Sequence, residues 1–266
     1  LSHSSAASDV YKRQIPNFLN EDDCDAMDKE VLKIINNIIP EGSAFSHAYA
    51  GDGHIAIREM KPSPNAKSIE DEISKLFRIH SKGVFNDFIH NKLLGDILED
   101  ILGPDVDCFL SQYIFKNPGA WGQPWHQDSS YFPFDREPQV GAWLATTEAT
   151  LENGCLVVLP GSHKESLHEH LPDEREGSNY GYTEIKDHDF SKEIPMTLSK
   201  GDLLLFHSFL MHKSYDNNSN FRRTAMVYHF AETGTNFGDI DSPTNEWISI
   251  RGKGCLLYTS PSPRDY

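Results

Sequence analysis

The chain has 266 residues, of which 38% are hydrophobic and 11% aromatic, enough apolar material to bury one sizeable core. Its formal net charge is -16, from 40 acidic and 24 basic residues, and this balance argues against a duplex nucleic-acid partner, because phosphate binding needs a cluster of basic residues. No apolar run approaches the length of a transmembrane helix, so we expect no membrane span.

Both ends of the sequence are predicted to be foreign to the protein. Residues 4–14, SSAASDVYKRQ, translate the end of a common transposon sequencing adapter, and residues 255–265, CLLYTSPSPRD, translate its reverse complement with the partner adapter in another frame. We therefore treat residues 1–14 and 255–266 as translated adapter scars and assign one domain to residues 15–254. The alternative is a natural tail rich in serine and proline. We expect the native amino terminus, with any targeting signal, to lie outside this sequence.

The cysteines indicate a reducing compartment. Without the predicted scars, Cys24, Cys108 and Cys155 remain, widely spaced and without a CxxC pair. A sparse, odd set is typical of a reducing environment rather than of a disulfide framework. We expect a cytoplasmic protein, and no pattern indicates an oligomeric state.

The first elements along the chain are predicted to be mainly helical. A short strand is expected at 15–19, followed by a helix at 20–39, capped by Asn20 or Asp22 and ended by Pro40 and Gly42. Its apolar residues recur at helical spacing. Residues 43–65 are predicted as loop with a short strand around 54–60. Further helices are predicted at 65–80 and 84–102, the last ended by Gly103 and Pro104.

After Pro104 the pattern changes to short segments rich in aromatic and β-branched residues, separated by glycine, proline and asparagine. This pattern predicts strands, which we assign to residues 106–116, 123–131, 139–147, 155–159, 195–198, 202–207, 209–215 and 223–232. Such a series favours an antiparallel barrel or jelly roll with the helices packed outside it. The polar stretch 163–192 is predicted as a long surface insertion or lid.

The most informative local pattern is His126-Gln127-Asp128. A histidine and a carboxylate two residues apart share one face of a β-strand. With a second histidine from a distant strand, for which His212 is the candidate, they form the 2-His-1-carboxylate triad of non-haem Fe(II) oxygenases. Taken alone, a His-x-Asp pair more often makes a surface hydrogen bond.

Further motifs carry a family resemblance. The segment from His212 to Arg223, HKSYDNNSNFRR, resembles the HxSxxNxSxxxR signature of the phytanoyl-CoA dioxygenase family of Fe(II)/2-oxoglutarate oxygenases. Residues 112–116 (QYIFK), Trp143 and residues 153–164 also resemble that family, in the same order, and the likeness extends over roughly residues 15–235. The resemblance implies a mostly β fold with flanking α-helices, whose core is a double-stranded β-helix (a jelly-roll, cupin-like fold) with N-terminal helices outside. It also implies a dioxygenase that uses Fe(II), 2-oxoglutarate and O2 to hydroxylate a small molecule, releasing succinate and CO2.

The resemblance carries over a set of co-substrate contacts. Arg223 would pair with the distal carboxylate of 2-oxoglutarate, and a guanidinium suits a carboxylate because it binds in a bidentate fork. Arg222 should point away, since neighbours on a strand face opposite sides. The other contacts carried over are Lys75, Gln112, Trp143 and Ser214. Lys75 on a helix is also compatible with simple solvation, Trp143 with core packing, and Gln112 stands where relatives often carry methionine.

Other histidines compete with His212 for the metal. His163, His168, His170 and His188 fall in or beside the polar insertion, where exposed histidines are common. His207 is the serious rival, but it precedes His212 by five residues, and side-chain alternation puts the two on opposite faces of a regular strand. Only His212 opens the Ser/Asn/Ser/Arg pattern.

Two functions from different classes remain open on the sequence. The first is the hydroxylase, which Asp128 favours over a halogenase, because related halogenases leave the carboxylate position small so that chloride can bind iron. The second is a non-catalytic sensor of the same fold that binds the metal and 2-oxoglutarate without turnover.

Overall fold

The structure is a computed structural model that describes residues 12–39, 47–49, 53–59, 66–176, 181–236 and 247–252. Its strands are β1 Lys12–Ile15, β2 His47–Tyr49, β3 Ile55–Arg58, β4 Ile73–Phe77, β5 Val106–Lys116, β6 Val140–Ala145, β7 Leu156–Val158, β8 Leu171–Pro172, β9 Thr183–Glu184, β10 Ile194–Met196, β11 Leu203–His207, β12 His212–Ser214, β13 Arg223–Glu232 and β14 Ile248–Arg251. Its α-helices are α1 Glu21–Ile38, α2 Gly83–Ile89 and α3 Lys92–Leu102.

Two antiparallel sheets build the core. The large sheet has the order β1-β11-β6-β13-β5-β4-β3-β2, with β14 also paired to β5, and the small sheet has the order β10-β7-β12. An isolated bridge between His126 and His212 adds one more segment beside β12. From β6 to β13 the chain passes back and forth between the two sheets, so that strands distant along the chain lie side by side within each sheet. This is the arrangement of a double-stranded β-helix. The predicted jelly-roll core with outer helices is therefore confirmed.

The helices cover the outer face of the large sheet. Helix α1 begins after Asn20, whose side chain accepts a hydrogen bond of 2.9 Å from the backbone N–H of Asp23, so the predicted cap is confirmed. Its buried stripe packs in one cluster with α2, α3 and the outer side chains of the sheet. None of the helices in the described ranges is long and apolar enough to cross a membrane.

Two helix predictions were wrong. Residues 66–80, predicted as part of a helix, contain a 3-10 turn and then strand β4, which pairs with β3 and β5. Sheet pairing here overrides local helix propensity. The predicted helix at 84–102 is two helices, because Asn91 interrupts it and caps α3, its side chain accepting from Leu94 N at 3.2 Å. The Gly103 end is confirmed, with a φ of 98°.

The strand predictions had mixed outcomes. Strands β5 and β13 have the predicted bounds, and β6, β7, β10, β11 and β12 lie within or beside their predicted ranges. The prediction for 123–131 was wrong, since His126 makes only a bridge and Asp128–Ser130 forms a 3-10 turn.

At the amino-terminal end, β1 lies at Lys12–Ile15 rather than at 15–19 and pairs with β11. Three residues of the predicted scar therefore extend the edge of the large sheet. Strand β2 was not predicted, whereas the short strand expected around 54–60 is β3. The predicted helix stop at Pro40 and Gly42 and the scar at 255–266 lie outside the described residues.

Side-chain alternation along β13 divides the interior. Met226 and Tyr228 pack outward in the cluster beneath the helices, whereas Ala225 and Val227 pack inward in the cluster between the two sheets. Arg223 has the inward parity of Ala225 and lines the space between the sheets, because residues two apart on a strand share a face.

Candidate metal centre and its cavity

Three buried residues bring metal-type ligand atoms together between the sheets. His126, Asp128 and His212 each offer a ligand atom, and these atoms lie within 4.8 Å of one another. The Nε2 atoms of both histidines are 3.6 Å from Asp128 Oδ1. The residues that the sequence pattern singles out as metal ligands therefore converge, although Asp128 reaches the cluster from a 3-10 turn and not from a strand face.

Backbone contacts prepare both histidines for a metal. His126 and His212 bridge through reciprocal N–H···O bonds of 2.9 and 3.0 Å. The Nδ1 atoms of the two rings lie 2.8 Å from Pro124 O and 2.9 Å from Leu210 O. An Nδ1–H that donates to a carbonyl leaves Nε2 as the lone-pair atom, which is the form that ligates metals. Burial, and then the neighbouring His126, lowers the pKa of His212 to about 4, so His212 is neutral at pH 7.

Asp128 supplies the negative charge of the cluster. Burial opposes its ionisation, but His212, His126 and His229 together hold the pKa of the carboxyl well below its usual range. Its Oδ2 atom is buried without a hydrogen-bond partner and lies 3.8 Å from His229 Nδ1. A buried carboxylate with an orphaned oxygen is costly unless a cation pairs with it. The two nitrogen donors and one oxygen donor thus fit a divalent metal of the iron type.

Gln127 is the middle residue of the His126-Gln127-Asp128 motif. It links the loop that carries His126 and Asp128, here called the metal loop, to the polar insertion at 163–192. It is fully buried. Its backbone N–H donates to His170 Nε2 at 2.9 Å, and its Oε1 accepts from His168 N at 2.9 Å. Its Nε2 donates to Phe209 O at 3.0 Å. Residues 166–170 are therefore held against the loop that carries His126 and Asp128.

The metal-type cluster opens into a cavity of about 350 Å³, within the size range of small-molecule sites. The sequence-predicted residues that line it are His126, Asp128, His212, Lys75, Gln112, Trp143, Ser214 and Arg223. The structure thus brings every predicted site residue to one space.

Arg223 is a buried cation with unused donors. Only 1% of its surface is exposed. Its Nη2 donates to Gly154 O at 2.7 Å, whereas Nε and Nη1 are buried without a hydrogen-bond partner. The guanidinium lies 5.3 Å from the ring centre of Trp143, and burial lowers its pKa to about 10. A buried guanidinium with two free N–H groups is arranged for an anion, above all a carboxylate.

Arg222 points away from the cavity, as predicted. Its Nε donates to Asn117 Oδ1 at 2.6 Å, and its Nη2 forms an ion pair with Asp71. The two neighbouring arginines therefore have different environments, one paired near the surface and one buried with free donors.

The remaining predicted contacts line the same cavity. Lys75 lies on β4, not on a helix, and its register opposite Ile114 of β5 turns it inward; its Nζ is 3.4 Å from Gln123 Oε1. Gln112 Oε1 and Trp143 Nε1 are buried without a partner. Ser214 Oγ accepts from Lys116 Nζ at 2.8 Å and from Gln123 N at 3.0 Å.

Sequence reasoning missed two inward residues of the long strands. Lys116 pairs with Arg223 across β5 and β13, and burial followed by the Arg223 charge lowers the pKa of Lys116 well below its ordinary value. His229 lines the cavity six residues after Arg223 on the same face. Counting in twos from Gln112 and from Arg223 identifies both, since strand residues two apart share a face.

The rival histidine lies elsewhere. His207 Nδ1 accepts a hydrogen bond of 3.0 Å from Phe209 N, and its ring centre is 5.7 Å from that of His163. Neither residue belongs to the metal-type cluster. The geometry favours His212, as predicted, but not through alternation along one strand, because His207 ends β11 of the large sheet and His212 begins β12 of the small sheet.

Comparisons with known proteins find relatives of the chain in the family that its motifs resemble. The family model for phytanoyl-CoA dioxygenase (PhyH) matches residues 14–225. Human peroxisomal phytanoyl-CoA dioxygenase is 35% identical over 236 residues, which cover 81% of this chain and 69% of that protein. The bovine peroxisomal enzyme is 35% identical over 158 residues, covering 57% of this chain and 47% of the bovine one. The chain thus matches about half of the bovine relative's length.

Solved structures show the same fold. The apo form of the non-heme monooxygenase ThoJ superposes with a TM-score of 0.68 and covers 96% of this chain and 85% of its own, at 16% sequence identity. At that identity the likeness concerns the fold.

Proposed function

Because this chain belongs to the phytanoyl-CoA dioxygenase family of non-haem iron, 2-oxoglutarate-dependent oxygenases, we propose that it hydroxylates a small-molecule metabolite with release of succinate and CO2. The observation that carries the proposal is a pair of unmet charges in one cavity. Asp128 has an orphaned carboxylate oxygen, and Arg223 has two orphaned N–H groups. A metal cation would pair with the Asp128 carboxylate, and a carboxylate ligand would accept hydrogen bonds from the Arg223 N–H groups.

In this proposal His126, Asp128 and His212 hold Fe(II), and three protein ligands leave neighbouring positions open. Bound Fe(II) supplies the redox chemistry that couples oxidative decarboxylation of 2-oxoglutarate by O2 to hydroxylation of the substrate. The protein's own part is to leave the Nε2 lone pair of each histidine free for the metal, because each Nδ1 contacts a backbone carbonyl. Asp128 retains its carboxylate, which favours hydroxylation over halogenation.

The distal carboxylate of the co-substrate is assigned to the basic wall of the cavity, the part lined by Arg223, Lys75 and Lys116. Arg223 binds the distal carboxylate of 2-oxoglutarate through its free N–H groups, and Trp143, with its unpartnered Nε1, lies against the guanidinium. Ser214 and Lys75 line the same wall, and Gln112 offers an unpartnered Oε1 to a hydrogen-bond donor. Tyr131 and Phe132 also line the cavity, so the substrate we propose presents apolar surface to them.

The test is an anaerobic titration. Protein mixed with Fe(II) and 2-oxoglutarate without O2 should develop the visible metal-to-ligand charge-transfer band of a chelated 2-oxo acid, and substrate pools admitted with O2 should stimulate succinate release. Absence of the band overturns the proposal. A band without succinate from any pool favours the non-catalytic sensor instead.

Because of Lys75, we expect the use of 2-oxoglutarate to become less efficient at alkaline pH. Burial lowers its pKa to about 8, against the opposing effect of Asp128 and Glu59. The ammonium is charged below that pH and neutral above it, so kcat/KM for 2-oxoglutarate, which reports the free enzyme, should fall as the pH rises through about 8. In Lys75→Met this limb should disappear.

Lys200→Met is the matched control for the lysine, because Lys200 pairs with Asp25 at 2.6 Å on the outer surface. It should keep the wild-type pH profile. An unchanged profile in Lys75→Met would remove Lys75 from the co-substrate site.

The compartment that we propose is a reducing one such as the cytoplasm. Cys24, Cys108 and Cys155 are buried and free, which supports that environment.

A further inference from the structure

A second cluster of metal-type ligands lies outside the cavity, in the polar insertion at 163–192. Glu165, His168 and His188 each offer a ligand atom, and these atoms lie within 4.8 Å of one another. Glu165 Oε2 is 2.9 Å from His168 Nε2 and 2.9 Å from His188 Nε2. One carboxylate oxygen therefore faces two imidazole nitrogens at once.

The cluster joins the two arms of the insertion. The first arm, residues 165–170, is fastened to the metal loop by Gln127, which accepts from His168 N and donates to His170 Nε2. The second arm, residues 185–190, is fastened through Trp125. Ile185 N donates to Trp125 O at 2.8 Å. The ring of Phe190 stacks on that of Trp125, with 4.5 Å between the ring centroids and 4° between the ring planes. Both arms thus rest on the segment that carries His126. The β8–β9 pairing joins them directly beyond the first arm, and the side chains of Glu165, His168 and His188 form a further connection beside Trp125.

Both ring nitrogens of His188 face an oxygen acceptor, although a neutral imidazole has only one N–H to donate. Its Nδ1 lies 3.1 Å from Asp189 O and its Nε2 lies 2.9 Å from Glu165 Oε2. A neutral imidazole has one N–H, so with Nδ1–H directed at the carbonyl, the Nε2 lone pair faces a carboxylate. A cation between them, either a second ring proton or a metal ion, removes the repulsion.

We propose that Glu165, His168 and His188 bind a divalent transition-metal ion of the zinc class, which ties the two arms of the insertion together over the metal loop. Imidazole and carboxylate are normal zinc ligands, and three protein ligands leave one tetrahedral position for water. Zinc bonds of about 2.0 Å place neighbouring ligand atoms roughly 3.3 Å apart, so the contacts at 2.9 Å need to open by only a few tenths of an ångström. The side chains are 40%, 27% and 18% exposed for Glu165, His168 and His188, which lets an ion enter from solvent.

The experiment counts zinc in the full chain by equilibrium dialysis and metal analysis. Zinc also suits the buried centre, so the wild type should take up two equivalents, and His188→Ala should take up one. The double variant His126→Ala/Asp128→Ala should also take up one, and adding His188→Ala to it should remove that last equivalent. Glu169→Gln, an exposed acid between His168 and His170, is the control and should bind like the wild type.

A second readout separates binding from folding. Zinc should raise the melting temperature of the double variant and leave that of the triple variant unchanged, while far-UV circular dichroism without zinc stays the same in both. Unchanged zinc uptake in His188→Ala, or no uptake by the double variant, overturns the proposal and leaves Glu165, His168 and His188 as a hydrogen-bonded surface group. If the wild type takes up one equivalent of zinc and His188→Ala removes it, the centre at His126 and Asp128 binds no metal. That result would contradict the proposed function and leave this second site supported.

Discussion

Asp128→Ala should abolish 2-oxoglutarate turnover and leave the fold intact. The substitution removes one of three proposed metal ligands, and since even outer-shell partners of metal ligands cost about 10–100-fold, we expect a loss of at least roughly 100-fold in kcat/KM. Succinate release measured over a range of Fe(II) concentrations checks this. Added iron should not restore the rate, because the ligand itself is gone.

The same variant should be at least as stable as the wild type when both are free of metal. Asp128 is a buried carboxylate with an orphaned oxygen, and an unsatisfied buried polar group costs about 1–3 kcal/mol. Thermal unfolding of the two metal-free proteins measures the difference. A large drop in melting temperature would assign Asp128 to the scaffold rather than to a metal.

Two histidine variants complete this experiment. His212→Ala should lose iron uptake like Asp128→Ala, whereas His207→Ala should keep it, because the His207 ring contacts Phe209 N and His163 instead. The reverse outcome would show that the ligand set is wrong.

The sequence predicts the site better than it predicts the elements that carry it. His126 and Asp128 were expected on one strand face, yet Asp128 lies in a 3-10 turn. The residues converge because the backbone bridge holds His126 beside His212 and the following 3-10 turn carries Asp128. This bridge does not depend on a regular strand at 123–131. A motif specifies chemistry, whereas the local backbone is set by packing that the motif does not contain.

The wrong helix at 65–80 shows where local pattern fails. Residues 73–77 carry no strong strand signal of their own, and their conformation comes from pairing with β3 and β5. Those partners, at Ile55–Arg58 and Val106–Lys116, lie outside the segment itself, so its own propensity cannot find them. The error matters for function, because only as part of β4 is Lys75 buried and turned into the cavity.

Lys116 and His229 are a different kind of omission. Both lie on strands that were predicted with the observed bounds, and strand parity was sufficient to put them on the inner face. What the sequence could not supply is the register that sets Lys116 directly opposite Arg223. That pairing brings two buried cations together at the wall to which we assign the co-substrate.

Arg223→Ala should chiefly raise the concentration of 2-oxoglutarate that turnover requires. Breaking a buried, hydrogen-bonded charge pair costs about 3–5 kcal/mol, and each 1.4 kcal/mol is tenfold, so we expect KM for 2-oxoglutarate to rise by roughly 100-fold or more. The kcat at saturating 2-oxoglutarate should change much less, because the guanidinium binds the end of the co-substrate remote from the metal. Steady-state succinate release against 2-oxoglutarate concentration separates the two effects.

Arg222→Ala is the matched control, since it removes the same functional group one residue earlier on the chain. Arg222 pairs with Asp71 and Asn117, so this variant should lose a little stability, of the size of a partly exposed ion pair at about 0–1 kcal/mol, and keep the wild-type KM. Arg223→Lys should fall between, because an ammonium keeps the charge but not the bidentate fork. If Arg222→Ala raises KM as much as Arg223→Ala, the effect comes from loosening the β12–β13 connection, and the carboxylate site must be sought on Lys75 and Lys116, the other two buried cations of the cavity.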